Sequence, residues 1–331
     1  MVYLSALAET DLTPDKDKQV NLPVTETERT QLRALLGGLQ WLVTQTFVYG
    51  MVDVNLLQSC VTTATVDTIL TANKILRKLR AGPNRLVCKE IQGSVHLVAW
   101  SDASWANRKS GSSTGGYIIG ITSQDVLDGK RGHVSVVSWN TNKLKRVARS
   151  SMAAEMQALA NAEDELHLCR LAWLEFNGYD IDLNQVDEAL QNISGTVIID
   201  AKAIYDVFIS DNQPIQLSEK RTALELLAYL RNTESNNTDT RWVHGEANLA
   251  DGLTKLGHHP MLREFLETST WCFVHDSSQL SGKKRKAKGL DPLKQADAVS
   301  DDNFNELAWK QLAVAYPEFT RKDSDDEYDL L

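Results

Sequence analysis

Residues 95–122 read VHLVAWSDASWANRKSGSSTGGYIIGIT and predict two strands joined by a polar turn. Val95, Leu97 and Ala99 alternate with His96, Val98 and Trp100, as the two faces of a strand would, and the run ends at Ser101-Asp102. Small and polar residues fill the turn, and GGYIIG at 115–120 predicts the return strand. A carboxylate at a strand end is one possible ligand of a metal site. The sequence predicts such a site only if more carboxylates follow in comparable positions.

The composition is that of an ordinary globular protein. The chain has 331 residues, of which 42% are hydrophobic and 24% are charged, enough for one large or two modest domains. No apolar run approaches the roughly 20 residues of a membrane span, and the N-terminus lacks a signal-peptide pattern, so we expect an intracellular protein without a membrane partner. The cysteines, Cys60, Cys88, Cys169 and Cys272, form no CxxC pair, which favours neither a zinc site nor a disulfide framework.

The net charge of -9 is unevenly distributed. Residues 301–331 contain nine acids and three bases, which give a net charge of -6 and account for most of the excess. The remaining chain is nearly balanced and carries local basic clusters, including the one at residues 283–288. The overall charge therefore does not exclude a nucleic-acid partner.

Changes in periodicity and composition divide the chain into four predicted parts. The parts are a loosely ordered lead-in (1–24), a helical segment (25–90), an α/β region (91–275) and a basic then acidic tail that is largely disordered (276–331). In the helical segment, Thr25 and Glu28 form a predicted capping box, and a second helix is expected at 66–80. In the α/β region, further strands are expected at 133–143, 195–200 and 238–244, and helices at 150–176, at 218–231 and from Asn248 onwards.

Four acids occupy the ends of these predicted elements. Asp102 and Asp200 close strands, while Glu155 and Asp251 lie in the first turns of helices. Any one of them alone is more often a helix cap or a surface charge. Four converging carboxylates, however, repel unless cations neutralise them, and such groups bind hard divalent ions, typically Mg²⁺. Two such ions about 3.5–4 Å apart can assist an in-line phosphoryl displacement.

Five blocks of the sequence, in order, resemble the ribonuclease H domain of copia-type retrotransposon Pol polyproteins. The blocks are WSDASWA, RKSGSSTGGYIIGI, VSWNTNKLKRVARSSMAAEMQAL, IIDAKAIYD and WVHGEANLADGLTK, within residues 95–257. Upstream, QLRALLGGLQWLVTQT and ILTANKILRKLR resemble the helical connection that closes the reverse transcriptase of these polyproteins. The resemblance implies a ribonuclease H-like α/β fold, a mixed five-stranded sheet flanked by helices and preceded by a small helical segment.

The resemblance also implies an activity and its residues. The family hydrolyses the RNA strand of RNA–DNA hybrids with two Mg²⁺ ions, for which Mn²⁺ is an alternative. Matched residue by residue, Asp102, Glu155, Asp200 and Asp251 are both the catalytic and the metal-binding residues. The implied partners are an RNA–DNA hybrid or another nucleic acid and the rest of a Pol polyprotein, in the cytoplasm or nucleus. The chain has no Tyr-x-Asp-Asp motif, so polymerisation is not expected.

Polar and basic residues beside the acids are the candidate nucleic-acid contacts. The polar candidates for 2′-hydroxyl contacts across the minor groove are Ser104, Asn107, Ser112, Ser113, Thr114, Ser150 and Ser151. The basic candidates for phosphate contacts are Lys143, Lys145, Arg146 and Arg149. A solvated loop is the alternative interpretation of this basic run.

Departures from the family pattern keep a second function open. Met152-Ala153 removes an acid beside Glu155, and Ala201-Lys202 brings an ammonium next to Asp200. His244 lies near the position of a histidine that aids product release in cellular ribonucleases H, but Glu246 takes the aligned place. The alternative is an inactive or repurposed nucleic-acid-binding fragment. An integrase-like nuclease is disfavoured, because those enzymes place their glutamate after the aspartates.

Overall fold

The helices and strands below come from a computed structural model, which describes residues 2–12, 15–82, 86–209, 219–257, 259–274 and 287–289. The α-helices are α1 (Val2–Ala6), α2 (Glu26–Gln45), α3 (Met51–Gln58), α4 (Val66–Ala81), α5 (Gln124–Leu127), α6 (Ser151–Phe176), α7 (Val186–Leu190), α8 (Lys202–Phe208), α9 (Lys220–Ser235) and α10 (Pro260–Thr268). The strands are β1 (Val95–Ser104), β2 (Thr114–Ser123), β3 (Gly132–His133), β4 (Ser135–Lys143), β5 (Gly195–Ile199), β6 (Thr238–Trp242) and β7 (Thr270–Trp271). Within the described residues, no helix is both long and apolar enough to span a membrane.

The main sheet has five strands in the order β4-β2-β1-β5-β6. The hairpin of β1 and β2 is antiparallel, as is the pairing of β2 with β4, whereas β1 with β5 and β5 with β6 are parallel. Strands β3 and β7 form a separate two-stranded sheet. The predicted mixed five-stranded sheet flanked by helices is thus confirmed.

The two faces of the sheet bury different helices. Alternation along β1 directs Val98 and Trp100 into a core shared with α2, α3, α4 and α10, and directs Leu97 and Ala99 into a core shared with α6 and α9. The helical segment and the sheet therefore share hydrophobic packing. Hydrogen bonds add to it, because the Trp139 indole donates to the Val43 carbonyl at 2.7 Å.

The structure adds elements that the sequence patterns did not predict. After α2, a 3-10 turn at Val48–Gly50 leads into α3. In the lead-in, the Thr10 backbone and the Asn73 side chain exchange hydrogen bonds of 2.9 and 3.0 Å. The helix expected from Asn248 onwards is a 3-10 turn at Leu249–Leu253, so that prediction was wrong in helix type. The basic cluster at 283–286 and almost all of the predicted tail lie outside the described residues.

A buried arginine fixes the start of β5, the strand that carries Asp200 at its other end. Arg170 on α6 is fully buried. Its guanidinium donates to the carbonyls of Ile193 and Leu190, both at 2.9 Å, and to the Asn236 carbonyl at 2.6 Å. One side chain thus satisfies the backbone at the ends of α7 and α9 and ties both to α6.

We expect Arg170→Leu to lower the free energy of unfolding by about 3 kcal/mol, because buried carbonyls lose their donors. Urea unfolding in metal-free buffer measures the change. Arg231→Leu, on the exposed part of α9, is the matched control and should change stability by no more than about 0.5 kcal/mol. Equal stabilities of the two variants would contradict this account.

Candidate active site and metal centre

Three of the four predicted acids meet at one edge of the sheet. Asp102, Asp200 and Asp251 each offer a carboxylate oxygen, and these oxygens all lie within 4.8 Å of one another. Strand pairing explains the first two: β1 and β5 are parallel neighbours with Trp100 opposite Ile198, so each strand reaches its acid two residues later. Asp251 arrives from the 3-10 turn at Leu249–Leu253.

Asp102 is the most deeply buried acid of the group, with 1% of its surface exposed. The Thr254 hydroxyl donates a hydrogen bond to its Oδ2. Burial raises the pKa of Asp102 to about 7, and the negative charges of Asp200 and Asp251 act in the same direction, against the opposing effects of Lys255 and Thr254. An unpaired Asp102 charge is therefore costly in the metal-free protein.

The segment that carries Asp251 is clamped by hydrogen bonds from several elements. The Asn107 side chain donates to the Thr254 carbonyl at 3.1 Å, and the Thr141 hydroxyl donates to the Leu253 carbonyl at 2.7 Å. Gly116 on β2 permits this approach, because a Cβ there would lie 2.9 Å from the Cβ of Leu253. These contacts fix Asp251 relative to β1 and β2.

Asn248 and Trp242 fix Asp200 in the same way. The buried Asn248 amide donates to the Ser101 carbonyl at 2.8 Å, which connects the Asp251 segment to β1. The Trp242 indole donates to the Asp200 carbonyl at 3.0 Å. Burial raises the pKa of Asp200, and the hydrogen bond that Asn248 makes with its carboxylate opposes that shift.

Glu155 reaches the group from the other side, on the first turns of α6. Ser150 caps this helix by accepting from the Ala153 amide at 3.1 Å. The Ala103 amide donates to the Glu155 carboxylate. Burial raises the pKa of Glu155 well above its usual value, and the charges of Asp102 and Asp200 raise it further. Glu155 is thus electrostatically part of the group, although its oxygens are not among the three that lie within 4.8 Å.

Two basic residues that the sequence analysis did not single out contact Asp251. The Lys255 ammonium pairs with its Oδ1, and the His259 Nδ1 lies 3.4 Å from its Oδ2. Although burial favours protonated Asp251, these contacts hold its pKa below the usual value. The contact with Asp251 raises the pKa of His259 in turn. Thr254 and Lys255 are the last two residues of the WVHGEANLADGLTK block, so this motif could have indicated that both lie near Asp251. His259 lies outside the block.

The donor set fits a divalent cation. Carboxylate oxygens are the hard ligands that Mg²⁺, Mn²⁺ and Ca²⁺ prefer. An oxygen span of 4.8 Å suits ligands shared by one ion or by a closely spaced pair. Asp102, Asp200 and Asp251 therefore form a group that could hold a metal ion.

The predicted nucleic-acid residues divide by exposure. The side chains that are at least partly exposed are those of Ser104, Asn107, Ser112, Lys143, Lys145, Arg146, Arg149, Ser150 and Ser151. Ser113 and Thr114 are buried. The Ser113 hydroxyl accepts from the Ala106 amide at 3.0 Å, and the Thr114 hydroxyl donates to the Asn107 side chain at 2.8 Å. These two hydroxyls hold the β1–β2 turn together, so a contact with a ligand would require the turn to open.

Two predicted residues have protein partners that alter their expected roles. Arg146 pairs with Glu225 on α9, which partly neutralises it. Lys202, which the sequence places next to Asp200, pairs with Asp206 one turn along α8 at 2.6 Å and lies over the Trp242 ring. The lysine at the carboxylates is therefore Lys255.

His244 is buried beside the group, at the exit of β6. Its Nδ1 accepts from the Glu246 amide at 3.2 Å, while its Nε2 has no hydrogen-bond partner among the described residues. The adjacent Gly245 is so close to Asp200 that a Cβ there would lie 3.0 Å from Oδ2. A role for His244 in product release stays a prediction.

Comparison with known proteins gives sequence relatives of one kind. The chain is 32% identical over 149 residues to the retrovirus-related Pol polyprotein from transposon RE1 of Arabidopsis thaliana, and 32% identical over 146 residues to that from transposon RE2. These matches cover 44% and 43% of this chain but only 9% of each relative. The predicted resemblance to a retrotransposon Pol polyprotein is thereby confirmed. No protein-family model matches the chain.

Comparison with solved structures returned two ribonucleases H and a viral protease-reverse transcriptase. The N-terminal ribonuclease H domain of Rv2228c from Mycobacterium tuberculosis has a TM-score of 0.30 at 16% identity, over 49% of this chain and 91% of its own. LC11 ribonuclease H1 in complex with an RNA/DNA hybrid also scores 0.30, at 14% identity, over 47% and 92%. The foamy viral protease-reverse transcriptase with an RNA/DNA hybrid scores 0.37 at 13% identity, over 76% and 29%.

The raised pKa of Asp102 makes the stability of the metal-free protein depend on pH. Because the folded pKa of about 7 exceeds the usual aspartate value of about 4, the contribution of Asp102 to stability is fully present below about pH 4 and is lost as the pH rises towards 7. We expect Asp102→Asn to be more stable than the wild type at pH 8 by about 2–4 kcal/mol, and equally stable near pH 3.5.

Thermal and urea unfolding in the presence of a chelator measure this difference. Asp125→Asn, at an exposed ion pair with Lys130, is the control and should follow the wild type throughout. A difference between Asp102→Asn and the wild type that stays constant with pH would count against the buried-charge explanation.

Proposed function

We propose that this chain is a metal-dependent ribonuclease H that hydrolyses the RNA strand of RNA–DNA hybrids as part of a transposon Pol polyprotein. The observation that carries the proposal is the meeting of Asp102, Asp200 and Asp251, with Glu155 beside them, in a ribonuclease H-like sheet. The chain spans 9% of the length of its Pol relatives, so its cooperation with the rest of such a polyprotein is part of the proposal.

In the proposed mechanism, Asp102, Glu155, Asp200 and Asp251 would hold two Mg²⁺ ions, and Mn²⁺ would suit the same oxygens. The chemistry that such ions would supply is activation of a water molecule and neutralisation of charge on the leaving oxygen, and the products expected of the proposed reaction carry a 3′-hydroxyl and a 5′-phosphate. The chain's own contribution is orientation. Thr254 fixes the Asp102 carboxylate, and Asn248 links β1 to the segment of Asp251.

Exposed groups around the acids support a hybrid as the substrate. Asn107 and Ser151 flank the site on two different elements and offer polar contacts to 2′-hydroxyls in a wide minor groove. The basic run from Lys143 to Arg149 leads from the end of β4 to the start of α6, where phosphates of the DNA strand would bind. Because Arg146 is paired with Glu225, we assign the phosphate contacts to Lys143, Lys145 and Arg149.

The alternative is a nucleic-acid-binding fragment without activity. One observation favours it, namely that Lys255 already supplies positive charge between Asp102 and Asp251. Such a module would bind hybrids through the basic run without any metal. The two functions differ in their requirement for a divalent ion.

Cleavage of a hybrid is the direct test of the enzyme. We expect the wild type with Mg²⁺ to cut the labelled RNA strand of an RNA–DNA hybrid and to leave duplex DNA intact. Asp102→Asn should lose at least about a hundredfold in rate, because one shared metal ligand is removed. Gel analysis of the products measures the cleavage of the RNA strand by the wild type and the rate loss of the variant, with added chelator as the control. Cleavage by neither protein, with metal-independent binding by both, would favour the alternative.

The basic run is tested by the salt dependence of hybrid binding. Replacing Lys143, Lys145 and Arg149 together by alanine should weaken binding and reduce the slope of log affinity against log salt by about 2 to 3. Lys130→Ala is the control. Lys130 follows the C-terminal end of β2, and this end pairs with the start of β1, away from Asp102. An unchanged slope in the triple variant would assign the basic run to a solvated loop.

A further inference from the structure

Lys255 occupies a central position among the carboxylates. Its ammonium pairs with Asp251 Oδ1 and lies 3.6 Å from Asp102 Oδ2. Its charge also acts on Asp200 and Glu155. Among the described residues, it is the cation that interacts with all four acids of the group.

The backbone of Lys255 is fixed, whereas its side chain reaches solvent. The amide donates to the Asp251 carbonyl at 3.2 Å, and the carbonyl is 2.8 Å from Nε2 of His259. The side chain is 44% exposed, in contrast to 1% for Asp102. A flexible lysine stem anchored at the rim can therefore withdraw its charged end into water without opening the fold.

A divalent ion bound by Asp102 and Asp251 would overlap the position of the Lys255 ammonium. An ion shared by Asp102 and Asp251 would lie about 2.1 Å from an oxygen of each. The ammonium already lies between these two carboxylates, and two positive charges a few Å apart in a largely buried site repel strongly. The lysine must move out before such an ion can be bound.

We propose that Lys255 is a tethered counter-ion that competes with the divalent cation for Asp102 and Asp251. In the metal-free protein it offsets the repulsion among the acids and keeps them in position. Its displacement on loading weakens the apparent affinity for the metal and so sets the metal concentration that the site requires. This role rests on the proposed metal-dependent function and concerns the loading of that same site.

Lys255→Met removes the charge and keeps the length of the side chain. Lys78→Met is the matched control, because Lys78 is 43% exposed and pairs with Asp53 at 2.6 Å, in the helical segment. Calorimetric titration of the metal-free full chain with Mg²⁺ at pH 8 measures affinity directly. We expect the dissociation constant of Lys255→Met to be about tenfold lower than that of the wild type, and that of Lys78→Met to be unchanged.

Thermal unfolding supplies a second measurement. With a chelator, Lys255→Met should unfold at a lower temperature than the wild type, and Mg²⁺ should stabilise it by a larger shift. Lys255→Gln, which also lacks the charge, is measured in the same way if Lys255→Met does not fold. Equal or weaker Mg²⁺ binding by the variant, while the wild type still binds Mg²⁺ and cleaves hybrids, would overturn the counter-ion role alone. Absence of Mg²⁺ binding by the wild type would overturn the metal site, and with it both proposals.

Discussion

Mutual repulsion among buried carboxylates is the constraint on which the arrangement of this protein depends. Desolvation makes three of the acids bind protons more tightly than usual, with the pKa of Asp102 raised to about 7 and those of Glu155 and Asp200 also raised. Asp251 differs, because Lys255 and His259 lie against it and keep its pKa low. The negative charge of the acids must therefore be offset by positive charge, whether it comes from protons, from Lys255 or from metal ions.

Holding like charges together requires a rigid frame. Parallel pairing of β1 with β5 places Asp102 and Asp200 at one edge, and the buried Arg170 secures the start of β5. The segment of Asp251 has little regular structure, so hydrogen bonds replace helix packing there. Asn107 from the β1–β2 turn and Asn248 from the segment itself supply them. The frame restricts the freedom of the acids to move apart, so their repulsion is relieved by a cation or by protonation.

Local patterns were sufficient to predict most of the strands, the long helix α6 and the positions of four acids at element ends, while the five-stranded sheet was implied by the family resemblance. They failed where the outcome depends on distant contacts. Helix α3 is short and packs between other helices, and its FVYG lead-in carries no helical periodicity. Lys255 follows an ordinary i, i+4 spacing from Asp251, which predicts a surface ion pair, and only the approach of β1 brings Asp102 to the same ammonium.

The helical segment contributes to the site as well as to the core. Its helices cover the face of β1 that bears Val98 and Trp100, and Asp102 follows on that same face two residues later. Arg108 extends the contact to the turn, since its guanidinium binds the Asn55 side chain on α3 at 2.5 Å and the Thr114 hydroxyl at 3.0 Å. Thr114 in turn donates to Asn107, which holds the Asp251 segment, so a continuous chain of hydrogen bonds runs from α3 to the segment that carries Asp251. Displacement of α3 would therefore disturb the hydrogen bonds that position the Asp251 segment.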